Sequence, residues 1–170
     1  EIDMLEETYL KIISSKTASL FAAATKVGAI LSNQENKVKD ALEFYGKNLG
    51  LTFQIADDTL DYNSELKLFG KEIGNDFFEG KVTLPIILLN QKANVDEKKD
   101  IKNCFLSHER SESDFKSILG LIKKYDIINH CYLKAEYFIG LSSNSLSIFA
   151  DTKEKEILKK LTSFSLERNF

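Results

Sequence analysis

The sequence predicts an all-α protein, a bundle of helices, and three observations carry that expectation. Among 170 residues there is one proline and only eight glycines, so little interrupts a helix. Apolar residues recur at spacings of three and four, as in Ile118, Leu119, Ile122 and Tyr125, the period of an amphipathic helix. The single long break, around Gly70, Gly74 and Gly80, is followed by Thr83 and Pro85, the residue types that open a helix.

The expected helices follow in order. The first covers about Leu5 to Ser14 and the second Thr17 to Leu31, with Lys16–Thr17 at its opening. A long third helix runs from Asn36 to Tyr62. After the glycine-rich break, Thr83 acts as N-cap and Pro85 sits in the first turn of a short helix ending near Asn90. Four more cover Asp96 to Leu106, Ser113 to Tyr125, Ile127 to Ile148 and Lys153 to Arg168, the last capped by Asp151 or Thr152. Lysine-rich stretches such as Lys153 to Lys160 alternate in sign and read as solvated helix faces. Phe44, Phe53, Phe77 and Phe78 are expected in the core, and Ala22–Ala23–Ala24 at a close helix contact.

Composition removes several functions. A net charge of -3 gives no basic footprint for coating nucleic acid. No run of about 18 apolar residues is present to span a membrane. Cys104 and Cys131 have no metal-ligand spacing and read as reduced thiols, which places the expected protein in the cytoplasm. His108 and His130 have no partners at ligand spacing.

The segment Phe53–Tyr62 is the most informative. On a helix, with Gln54 at zero, Asp57, Asp58 and Asp61 fall at about -60°, +40° and -20°, so all four share one arc. Leu49, Phe53, Ala56 and Leu60 take the opposite side. No lysine stands one turn away to balance the acids. Carboxylates about 5 Å apart repel by roughly 3 kcal/mol at an effective dielectric near 20. An acidic solvated face and a site for a hard divalent ion are both open on spacing alone. Mg²⁺, which binds through one or two carboxylates, water and phosphate oxygens, suits the second. Cations cluster in the following break, at Lys67, Lys71 and Lys81, with Asp76 among them. At Lys16–Thr17 the ammonium, hydroxyl and helix-start N–H groups are expected to face an anion.

Phe53–Tyr62, then Gly70–Pro85, and upstream Tyr9–Phe21, together resemble the second aspartate-rich region and flanking motifs of trans-type polyprenyl diphosphate synthases, nearest the octaprenyl, long-chain group. The stretches stand in the family's order, and the resemblance is strongest over residues 5 to 90. It implies an isoprenoid-synthase bundle around a deep apolar cavity. It also implies a prenyltransferase that joins isopentenyl diphosphate to an allylic diphosphate, for isoprenoid or quinone side chains. By that resemblance Asp57 is the direct Mg²⁺ ligand, with Asp58, Asp61 and Asp76 completing the metal set together with Gln54. Lys16, Lys71 and Lys81 are the catalytic, diphosphate-binding lysines; Thr17 and Gln54 are further substrate contacts. The family's usual Gly-Asp-Asp is Gly74–Asn75–Asp76 here.

The family's other DDxxD and Arg pair have no counterpart in this sequence, so residues 1–170 resemble the carboxyl-terminal half of the catalytic domain. The expected partners are an amino-terminal half or a second copy, as a homodimer. Alone, such a half is expected to expose apolar surface and self-associate. Two alternatives remain. One is a noncatalytic relic or heteromer subunit of the same descent. The other is a calcium-binding helix-loop-helix with Asp61, Asn63, Glu65 and Glu72 at positions one, three, five and twelve, but with Leu66 where glycine is needed.

Overall fold

The computed structural model describes residues 2–63, 73–107 and 109–167, and among these there are helices and no strands. In order they are α1 (Glu6–Ile13), a π-helical turn (Ser14–Ala18), α2 (Ser19–Leu31), α3 (Asn36–Leu60), α4 (Asn75–Phe78), α5 (Leu84–Lys92), α6 (Val95–Leu106), α7 (Glu112–Lys124), α8 (Ile127–Ser145), a 3₁₀ turn (Leu146–Ile148) and α9 (Lys153–Glu167). The all-α expectation holds. No helix among the described residues is long and apolar enough to cross a membrane.

The boundaries depart where local chemistry was missed. α6 starts earlier than expected because Asn94 and Glu97 form a reciprocal capping box; α7 does so because Ser111 and Asp114 form another. Thr83 is the N-cap residue of α5, but its side chain makes no capping bond and is buried. It lies beside the buried Tyr62 hydroxyl instead. α9 begins with the Thr152 hydroxyl accepting from the Lys155 N–H at 3.3 Å, while Asp151 pairs with the Lys155 ammonium. The expected gap between the first two helices is absent, since helical hydrogen bonding runs unbroken from Glu6 to Leu31 through the π turn.

The chain forms two compact units, residues 1–9 with 57–132, and residues 10–56 with 133–170. In the first, an aromatic nest joins Phe77 to Phe78, Phe105 and Phe115 at ring separations of 5.4, 5.5 and 5.3 Å. Leu84, Ile86, Ile87 and Leu89 of α5, Ile101 of α6 and Ile118 of α7 are also fully buried here. From Leu84 to Leu89 α5 is apolar all round because every one of these residues is buried; its last residues, Gln91 and Lys92, are exposed. His130 abuts the Lys92 ammonium, and His108 lies outside the described residues.

In the second unit, Tyr45, Leu49 and Leu146 form a core flanked by Phe21, Leu42, Phe149 and Leu158. Here α2 and the π turn press directly on α3. A Cβ at Gly46 would stand 2.4 Å from the Phe21 carbonyl oxygen, and one at Gly50 would stand 2.6 Å from the Ala18 Cα. The Thr25 hydroxyl donates across this seam to the Leu42 carbonyl at 2.6 Å. Of the three alanines only Ala22 is buried; Ala23 and Ala24 are exposed beside Leu20, Val27 and Leu31, leaving α2 with an apolar outer stripe. Phe44 is 46% exposed, contrary to the core expectation, while Phe77 is fully buried.

Candidate active site

The carboxylates near the end of α3 are not equivalent. α3 stops at Leu60, two residues sooner than expected, so Asp61 leaves the helical arc and turns toward the segment after the glycine-rich break. Its Oδ1 accepts the backbone N–H groups of Gly74 and Asn75 at 3.1 and 3.0 Å. Its Oδ2 accepts that of Asp76 at 2.8 Å. Asp61 therefore caps the start of α4 and ties it to the end of α3. Burial pushes its carboxyl above the ordinary value, against the pull of those N–H groups. Asn75 contributes its backbone N–H here, so the unusual asparagine side chain is not what this contact reads.

Asp58 is buried, and its Oδ2 accepts the Tyr9 hydroxyl at 2.7 Å. Burial, then the neighbouring Asp58 charge, raises the Tyr9 phenol well above its usual range, so it stays a proton donor to the carboxylate. Below them Cys131 is buried, its thiol pushed up to about 12 chiefly by burial, with the Thr59 hydroxyl bonding it. It is a reduced, inert thiol. Asp57 alone of the three is exposed, with no partner among the described residues.

Asp76 and Lys81 meet, Nζ to Oδ1, at 3.1 Å, and Lys81 also reaches Glu79 at 2.5 Å. Both contacts raise the lysine's affinity for its proton, Glu79 more than Asp76. Half of the Lys81 side chain remains exposed, at 50%. Lys71, Lys67, Glu65, Leu66 and Glu72 lie outside the described residues.

In the other unit the Thr17 hydroxyl donates to Gln54 Oε1 at 2.7 Å. Phe21 and Phe53 pack beside them with ring centroids 5.5 Å apart. Lys16 is exposed on the π turn. This corrects the expected helix start: Lys16 and Thr17 lie inside a helical run, where the Ser19 N–H already bonds the Ser14 and Thr17 carbonyls, so no free N-terminal N–H groups serve an anion there. A π turn is instead a local widening of the helix, a form frequent at functional sites. Sequence period gave no sign of it. Tyr9 and Asp58 are separated by 49 residues, and no local pattern links them.

Among the described residues no three acidic, histidine or cysteine side chains converge to enclose a metal ion. The donor set suits a hard ion held mainly by substrate oxygens and water, with Asp57 as the outward carboxylate.

Comparison with known proteins shows the family and the fold. The family model described as polyprenyl synthetase matches residues 1–122. The short chain isoprenyl diphosphate synthase of Methanothermobacter thermautotrophicus is 32% identical over 167 residues, covering 98% of this chain and 51% of that protein. Two solved structures superpose over 100% of this chain and 52% of theirs. One is a Caulobacter crescentus polyprenyl synthase complexed with calcium and isoprenyl diphosphate (TM-score 0.92, 34% identity). The other is a Rhodobacter capsulatus decaprenyl diphosphate synthase (TM-score 0.93, 31% identity). The chain belongs to the polyprenyl synthetase family and has its all-α isoprenoid-synthase fold. It spans about half the length of the known relatives it matches.

Proposed function

We propose that the protein supplies one half of a prenyltransferase catalytic domain, extending an allylic diphosphate with isopentenyl diphosphate to a long-chain, octaprenyl-like polyprenyl diphosphate in the cytoplasm. The observation that carries this is the division of labour at the end of α3. Asp58 is locked by Tyr9, Asp61 caps α4, and Asp57 is left outward and exposed. Bound Mg²⁺ would neutralise the departing diphosphate of the allylic substrate. Asp57 holds that ion; Asp58, Asp61 and Asp76 fix the geometry around it. Lys16, Lys71 and Lys81 bind diphosphate oxygens and stabilise the charge that grows there as the carbon–oxygen bond breaks. Thr17 and Gln54 orient one another as a polar substrate contact. Isopentenyl binding, and a first aspartate cluster, belong to an amino-terminal half, either covalently attached or a separate partner, and the assembly is a homodimer.

The exposed stripe Leu20, Ala23, Ala24, Val27 and Leu31 supports this, since it is an apolar face suited to the allylic chain or to partner helices. The long-chain product and the Mg²⁺ preference are part of the proposal, because relatives range from short-chain to decaprenyl synthases. A calcium-binding helix-loop-helix is disfavoured by one observation: both oxygens of Asp61, its first ligand, are taken by backbone N–H groups. In the intact protein Asp57→Ala is expected to lower turnover by orders of magnitude with unchanged helicity. Near-normal turnover would overturn the assignment.

A further inference from the structure

Lysine outnumbers arginine 21 to 2 in this sequence, and one of the two arginines is set into the wall behind the Asp76–Lys81 turn. The Arg110 guanidinium donates from one terminal nitrogen to the Phe78 carbonyl at 3.3 Å and from the other to the Phe105 carbonyl at 3.0 Å. These carbonyls close α4 and α6, where unpaired C=O groups concentrate negative partial charge. Its Cζ lies 5.6 Å from the Phe105 ring centroid. Phe105 is itself packed edge-on against Phe77.

On the remaining side stands Gly80, in the left-handed region at φ +73°. A Cβ there would come within 2.4 Å of an Arg110 terminal nitrogen and 2.7 Å of Cζ. The guanidinium is thus flush with the backbone of the turn that leads from α4 to Lys81. Within that turn the Gly80 N–H bonds the Phe77 carbonyl and the Lys81 N–H bonds the Asp76 carbonyl, at 2.9 and 2.8 Å. The ammonium of Lys81 then reaches Asp76 and Glu79.

We propose that Arg110 is a positioning residue: by clamping the Phe78 carbonyl and bearing on Gly80, it fixes the turn that aims Lys81 and Asp76 at the substrate diphosphate. This rests on the role proposed above for those two residues. A lysine does not replace it. One ammonium has no planar fork with which to bridge two carbonyls while stacking on a ring. That requirement accounts for an arginine here in a chain that otherwise uses lysine.

The test compares wild type, Arg110→Lys, Arg110→Met and Ile118→Val in the intact protein. Ile118 is a buried α7 residue remote in role from substrate, and its variant measures what destabilisation alone does. Calorimetry with inorganic diphosphate and Mg²⁺ is the first readout. Both Arg110 variants are expected to bind about tenfold more weakly or worse, with Ile118→Val unchanged. Wild-type affinity in Arg110→Lys, or a loss no larger than that of Ile118→Val, overturns the proposal. Amide hydrogen exchange is the second readout, and it does not depend on diphosphate binding. Exchange at Glu79–Lys81 is expected to quicken in Arg110→Lys and not in Ile118→Val. Unchanged protection there overturns the clamp. Failure of the wild type to bind diphosphate at all would instead overturn the proposed roles of Lys81 and Asp76, and the exchange result would still decide on Arg110.

Discussion

The middle of α3 and its carboxyl end achieve definition by opposite means. Around Gly46 and Gly50 the helix is fixed by what its residues lack, since missing Cβ atoms let the π turn and α2 approach to backbone contact. Around Asp57 to Asp61 it is fixed by polar groups, each with a different assignment: one outward, one bonded to Tyr9, one capping α4. Glycine within a helix lowers its stability by about 1 kcal/mol relative to alanine, so its presence twice in one turn spacing marks a packing demand. Three aspartates without a lysine mark, under the proposed function, a chemical one. Substitution should separate the two: in the middle of α3 it should damage the fold, and at the end it should damage chemistry first.

The largest stability effect is expected at Gly46. A leucine there must displace the Phe21 backbone as well as the Thr25 side chain, destabilising the second unit by about 3 kcal/mol or more. Urea unfolding would show the shifted midpoint; an unchanged midpoint would mean that the seam is not close-packed. Next is Tyr9→Phe, which removes a donor from a buried carboxylate and should cost about 1.5–3 kcal/mol by the same measurement. Asp57→Ala, by contrast, should leave the midpoint in place, and that difference between neighbouring aspartates is the comparison at its sharpest. Thr17→Val should cost only about 0.5–1.5 kcal/mol in stability, because the Thr17–Gln54 bond is half-buried.

The smallest effect lies away from both regions. The Lys124 ammonium first, then the Tyr125 hydroxyl and the Asn94 N–H, hold the Glu97 carboxyl down to about 2 from an ordinary 4.5. A depressed folded-state value means that the stabilisation is present above about 4.5 and is lost as pH falls toward 2. Glu97→Gln should therefore lower the melting temperature slightly at neutral pH, where that stabilisation is present, and flatten its fall across the acid window. An unaltered acid slope would show that the Glu97 cluster is not formed in solution.

Much of this was legible in the sequence. The helical class follows from the period and the scarcity of breakers, and the acidic segment stood out by its unbalanced charge. The individual fates of the acids did not. Asp61 depends on where α3 stops, and Asp58 depends on a tyrosine 49 residues away. The π turn at Lys16–Thr17 has no residue signature of its own, so this polar stretch between two apolar runs read as a helix start. Asn94–Glu97 and Ser111–Asp114 were readable as capping pairs, and weighing them would have corrected the starts of α6 and α7. Arg110 gave one cue, its rarity beside lysine, whose meaning required seeing the carbonyls and ring around it.

The central claim is that Asp57 and its supports form half of a prenyl-transfer site. Its most direct test is incorporation of labelled isopentenyl diphosphate with an allylic primer and Mg²⁺, using the protein alone and then with an amino-terminal half carrying the other aspartate cluster and Arg pair. The account predicts polyprenyl product only when both halves are present, and its loss with Asp57→Ala. No product from the pair, or full activity in the Asp57 variant, would contradict it.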